Sequence, residues 1–279
     1  RSILKHLSDL FLITLKILNA YICRKHNVKT RYFIFISFKG TSFHGWQIQP
    51  NAVTIQGRME EALSVILGEK INLTGSGRTD TGVHAVLFVA HFESSFPDIE
   101  KNEKIIYSLN SILPADIAVS SIKKVKGDAH ARFSAISRTY KYYITEKKDP
   151  FSTEFSWYLP GKKDIKALNN SCEILLAYSD FKSFCRLHSD NKTTICRIFE
   201  AKWEKEDTKL VFTIRADRFL RNMVRAIVGT MIRTGMNKMS LEEFEGIIQA
   251  RDRNKAGQSA VAQGLFLVEI EYPPEIFNQ

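Results

Sequence analysis

The chain has 279 residues, 44% hydrophobic and 25% charged, with a formal net charge of +10. That composition excludes a disordered or fibrous chain and allows one large core or two modest ones. The excess of 40 Lys and Arg over 30 Asp and Glu points to a polyanionic partner, and a merely solvated basic surface is the plainer alternative.

Four cysteines, Cys23, Cys172, Cys185 and Cys196, fall in no C-x-x-C spacing. They are read as reduced thiols in the cytoplasm, not as a disulfide framework or a zinc site. His44, His84, His91, His130 and His188 also lack metal-ligand spacing, so no metal is expected.

Residues 1–30 form an extension of unassigned role. Its apolar run from 10 to 23 is broken by Lys16 and Asn19, too short and too interrupted for a membrane span. Arg1, Lys5 and His6 imitate the start of a signal peptide, but no small-x-small cleavage site follows, and the segment is read as a soluble amphipathic extension.

Residues 31–38 are rich in aromatic and β-branched side chains and predict a strand. Thr54 is a candidate N-cap for a helix through Ile55, Met59, Ala62, Leu63, Ile66 and Leu67, stopped by Gly68. Strands are expected over 70–74 and 83–92, flanking a glycine-rich loop. A helix follows over 102–113, ended by Pro114, and then a strand over 117–125. This β-α-β-β-α-β order is the split βαβ pattern of ferredoxin-like units. The second half nearly repeats it: a strand over 138–145, a helix over 164–178, paired strands over 194–204 and 209–215, helices over 218–234 and 240–251, and a strand over 265–272. The fold class is therefore α+β, with two halves, 31–130 and 131–279, built on mainly antiparallel sheets around a central cleft, a natural ligand site.

The loop Gly75-Ser76-Gly77-Arg78-Thr79-Asp80-Thr81-Gly82 is the most informative segment. A strand follows it, where a dinucleotide fingerprint needs a helix, and no Gly-Lys-Ser/Thr of a P-loop is present. What remains is a carboxylate beside a guanidinium. A tight turn with a local ion pair explains the spacing as well as a functional acid does; an ionised carboxylate there can act as a nucleophile or a base. Arg138, Tyr140 and Tyr142 alternate along a strand and share a face, either as packing or as a platform for an extruded base. Arg218, Arg221 and Arg225 stand at i, i+3 and i+7 on the expected helix, a stripe that is either solvated or suited to phosphate and carboxylate groups.

The run Gly77-Arg78-Thr79-Asp80-Thr81-Gly82-Val83-His84-Ala85 resembles the signature of the TruA family of tRNA pseudouridine synthases. The resemblance continues collinearly through 39–47, 110–114, 131–135, 138–142, 219–229 and 256–260. Thr81 departs from the family's usual Ala, and residues 1–30 lie outside the pattern. The resemblance implies conversion of uridine to pseudouridine at positions 38, 39 and 40 of the tRNA anticodon stem-loop, without cofactor or metal. It maps the catalytic Asp to Asp80, the base-contacting Tyr to Tyr140 and the arginine paired with the catalytic carboxylate to Arg225. Arg78 takes the place of the residue that helps extrude the target nucleotide, and Arg218 and Arg221 are expected to contact RNA. It also implies a homodimer across which one tRNA spans. A non-catalytic RNA-binding protein of the same fold is the alternative, disfavoured by the presence of Asp80, Tyr140 and Arg225. A nucleotide hydrolase is disfavoured by the missing P-loop and metal ligands.

Overall fold

A computed structural model of the chain describes residues 29–186 and 192–277. The extension at 1–28, Cys23 and His188 lie outside the described residues. Among the described residues no helix is long and apolar enough to cross a membrane.

The first half runs β1 (Thr30–Phe38), α1 (Ile55–Leu67), β2 (Thr74–Gly75), β3 (His84–Ser94), α2 (Glu103–Ile112) and β4 (Ile117–Lys124). The second runs β5 (Ser137–Thr145), β6 (Trp157–Tyr158), α3 (Ile165–Leu176), β7 (Ile198–Glu206), β8 (Lys209–Ala216), α4 (Met223–Gly235), α5 (Leu241–Ala250) and β9 (Leu265–Glu271). The helix ends follow local chemistry. Thr54 accepts a hydrogen bond from Gly57 N to start α1, and Gly68 closes it at φ 65°. Asn102 and Asp164 cap α2 and α3 through their side chains. Ser240 and Glu243 form a reciprocal capping box on α5.

The two halves share a single sheet of nine strands, ordered β4-β1-β3-β9-β5-β8-β7, with β2 on β3 and β6 on β5. All pairings are antiparallel except β3 with β9 and β5 with β6. The seam is β9, the last strand in the chain. It lies parallel to β3 through His84 and Ala85, and antiparallel to β5 along most of its length. The cores interlock there as well: Leu267, Ile270 and Ile276 pack into the cluster of the first half, and Val83 packs into that of the second.

Two expected elements are corrected. The strand over 70–74 shrinks to Thr74 and Gly75, because side chains of α1 take the backbone bonds a strand needs. Ile71 N donates to Ser64 Oγ at 3.0 Å, and Leu73 N donates to Glu60 Oε1 at 2.8 Å. The helix expected from 218 begins only at Met223, because Asn222 adopts a left-handed φ of 66°, which a right-handed helix cannot run through. Arg218 and Arg221 therefore sit in the preceding loop, not on a helical stripe with Arg225.

Candidate active site

The loop carrying Asp80 connects β2 to β3 and is held at several points. Ser76 N donates to Val89 O at 2.8 Å, Trp46 N to Thr79 O at 3.3 Å, and Val83 N to Asp80 O at 3.2 Å. Its glycines serve different ends. A Cβ on Gly75 would stand 2.6 Å from Trp46 Nε1 and 2.8 Å from Phe88 Cζ, and those two rings stack at 4.2 Å. Gly82 turns the chain at φ 77°, whereas a Cβ on Gly77 would meet nothing within 4 Å.

Asp80 stands at the wall of a cavity of about 750 Å³, a size suited to a small ligand or a single nucleotide. Its side chain is one-fifth exposed, with Oδ2 accepting from Arg225 Nη1 at 3.3 Å and Oδ1 lying 3.9 Å from Arg221 Nε. The guanidinium of Arg225 is aimed by its other bond, from Nε to Ala260 O at 2.8 Å, and Ala260 N returns a bond to Arg225 O at 2.9 Å. The close approach of α4 to the segment around Gln258 makes this clamp possible: a Cβ on Gly229 would fall 1.9 Å from Gln258 O. Arg78, the guanidinium nearest to Asp80 in the chain, is not its ion-pair partner; it lies exposed on the same cavity.

Tyr140 enters the cavity from β5, with its ring edge-on to Phe219 at 5.1 Å. Burial, reinforced by the charge of Asp80, pushes its phenol up to about 12 against the pull of Arg138. At neutral pH the hydroxyl is therefore protonated and able to donate. Tyr142, two residues on, does not reach the cavity; it is buried and donates its hydroxyl to Val261 O at 2.8 Å.

The structure gives Arg138 a part that strand alternation does not reveal. Its guanidinium donates to Asp217 O at 2.7 Å, Ala135 O at 3.2 Å and Ser76 O at 3.3 Å, and also to Arg132 O. Every acceptor is a backbone carbonyl. Arg138 thereby ties together the Asp80 loop, the 132–135 turn and the segment entering Arg218. Arg132 and Phe133, which sequence reasoning left without a role, also face the cavity. Burial first, then the charges of Arg78 and Arg218, push the pKa of Arg132 below the usual guanidinium value, and all three line the same cavity. Among the described residues no group of three or more His, Cys, Asp or Glu is placed to hold a metal ion.

Residues 34–134 and 175–273 match the family model described as tRNA pseudouridine synthase. The chain belongs to the tRNA pseudouridine synthase family. It is 51% identical over 247 residues to the tRNA pseudouridine synthase A of Parabacteroides distasonis, covering 88% of this chain and 98% of that one. It is 49% identical over 252 residues to that of Bacteroides thetaiotaomicron, covering 89% and 93%, and 50% identical over 249 residues to that of Bacteroides fragilis, covering 89% and 98%. Asp80 and Arg225 fall inside the stretches that match the pseudouridine synthase model, and Tyr140 and Arg138 fall between them.

Proposed function

We propose that this chain isomerises uridine to pseudouridine in tRNA, at positions 38, 39 and 40 of the anticodon stem-loop, with Asp80 as the catalytic group. The observation that carries the reading is a carboxylate set in a cavity, clamped by Arg225 and facing the chamber that Tyr140 enters. In the reaction the N1–C1′ bond breaks, the uracil turns, and a C1′–C5 bond forms; C5 gives up a proton and N1 ends with one. Nothing is oxidised, and no water is consumed on balance. Attack at C1′, attack on the base and removal of the 2′ proton all begin from an ionised carboxylate. The target base must leave its helix to reach Asp80, and a cavity with an aromatic wall and a basic rim suits an extruded nucleotide.

In this reading the half 31–130 supplies the Asp80 loop, and the half 131–279 supplies Tyr140, Arg225 and the RNA-contacting Arg218 and Arg221. The protein works as a cytoplasmic homodimer, and Arg78 assists extrusion. Pseudouridine mapping in tRNA from cells lacking the protein tests the assignment. Loss confined to positions 38, 39 and 40, restored by the wild-type chain and not by Asp80→Asn, is expected. An unchanged pseudouridine profile contradicts the proposal.

A further inference from the structure

Phe133 is 75% exposed, yet the turn that carries it is pinned at almost every residue. Ser134 N donates to His130 O and His130 N to Ser134 Oγ, both at 2.9 Å. Arg132 N and Phe133 N both donate to His130 Nδ1, at 3.1 and 3.3 Å. Ala131 N donates to His91 Nδ1 at 3.1 Å, the Tyr272 hydroxyl donates to Ala131 O at 2.5 Å, and Arg138 binds Arg132 O. Seven hydrogen bonds to five consecutive residues make a rigid pedestal. The Phe133 ring rests against the His130 ring at 4.4 Å, with the Arg132 guanidinium 5.5 Å from its centre. A large apolar ring held in water on such a support gives up hydrophobic burial, which a partner that covers it returns.

The neighbouring charge indicates that partner's chemistry. Arg78, Arg132 and Arg218 share the cavity wall with Phe133, and none of the three has a carboxylate within 4.0 Å among the described residues. Three guanidiniums lining one cavity without a carboxylate partner suit an anion of high charge density, such as a phosphodiester. An aromatic face beside a phosphate site is the recognition set of a nucleotide in unpaired RNA.

We propose that the Arg132–Phe133 turn is a second nucleotide subsite: Phe133 stacks on the base next to the extruded uridine, and Arg132, with Arg78 and Arg218, holds the phosphate between them. This rests on the RNA substrate proposed above and adds a named subsite to it. Extrusion strips one stacking neighbour from the adjacent base, and Phe133 replaces it.

The test uses a full-length tRNA with 2-aminopurine beside the target uridine of its anticodon stem-loop. Wild-type protein should quench the fluorophore on binding. Phe133→Leu should lose the quench and lower kcat/KM roughly tenfold to a hundredfold, the range expected for one stacked base, with melting temperature and oligomeric state unchanged. Phe133→Trp should restore both readouts. Arg132→Gln should reduce the slope of log Kd against log salt by about one. Phe133→Leu with wild-type kcat/KM and quench overturns the stacking role, as does a Phe133→Leu protein altered only in its oligomeric state, which would assign the ring to a protein interface. An unchanged salt slope for Arg132→Gln overturns the phosphate contact. If wild-type protein makes no pseudouridine in this RNA, the RNA reading itself fails; if it does while the Phe133 variants behave as wild type, only the subsite fails.

Discussion

In the proposed reaction Tyr140 and Asp80 have separate tasks. With its phenol held at about 12 by burial, Tyr140 can donate a proton or a hydrogen bond near neutrality but cannot serve as a base, which leaves that task to the carboxylate. Tyr140→Phe keeps the ring and its edge-on contact with Phe219, so RNA binding should stay within about twofold of wild type, while kcat should fall by about a hundredfold, the low end for loss of a positioned proton donor. Single-turnover assays beside binding measurements separate the two effects, and a Phe variant with wild-type kcat confines Tyr140 to packing. At this scale local spacing was informative about identities and poor about partners. Asp80, Tyr140 and Arg225 stood out from motif resemblance, which also assigned Arg225 as the partner of the carboxylate. Spacing alone pointed to Arg78, the guanidinium nearest in the chain, whereas the fold pairs Asp80 with Arg225, 145 residues away. No local pattern could reveal that Arg138 spends its donors on carbonyls of three segments, since those segments meet only in the folded sheet.

The loop between β2 and β3 works because its neighbours are packed hard against it. Gly75→Ala drives a methyl into the Trp46 and Phe88 rings at under 3 Å and should cost about 1–3 kcal/mol, with a lower melting temperature and reduced turnover. Gly77→Ala, which meets nothing within 4 Å, should melt with the wild type; equal melting of the Gly75 variant would show that the rings yield and do not set the loop. Strongly periodic elements such as α1 and β1 were legible in sequence because burial and period coincide. The misread elements share a cause: a local choice overrode the pattern. Side chains of α1 satisfied the backbone at Ile71 and Leu73, and the left-handed Asn222 cut α4 short. That break turns Arg221 back toward Asp80, so the interruption of the helix helps to build the site. The two-residue β6 carried no readable period at all.

Across the molecule, the site lies beside a seam that neither half makes alone. Asp80 precedes β3, Tyr140 lies on β5, and β9 is inserted between them, with Leu267 paired to both Ala85 and Tyr140. The near-repeat of element order announced two halves, but not that the final strand would join them into one sheet. His91 on β3 supports the pedestal of this region and gives it a pH limit. Burial first, then the charges of His130 and Arg31, push its pKa down to about 4, and the Ala131 N–H donated to Nδ1 requires that nitrogen to be unprotonated. The folded state therefore favours neutral His91. Its contribution, on the order of 3 kcal/mol, is complete above the unfolded value of about 6.5 and is lost as pH falls toward 4. Burial shifts His84 and His130 in the same direction. Urea midpoints should thus be flat from pH 8 to 7 and fall steadily from 6.5 to 4.5, and a midpoint that rises on acidification would show that these imidazoles are not held neutral. The proposed function rests on one carboxylate, and Asp80→Asn probes it directly. Asparagine keeps the size of the side chain and a carbonyl for Arg225, which also retains Ala260 O, so the loss of stability should be about 1–2 kcal/mol and the protein should stay folded and bind tRNA. An amide is neither a useful nucleophile nor a base at neutral pH, so tritium release from tRNA labelled at uridine C5 should drop to background; a folded, tRNA-binding Asn variant that still releases tritium and forms pseudouridine would contradict the account.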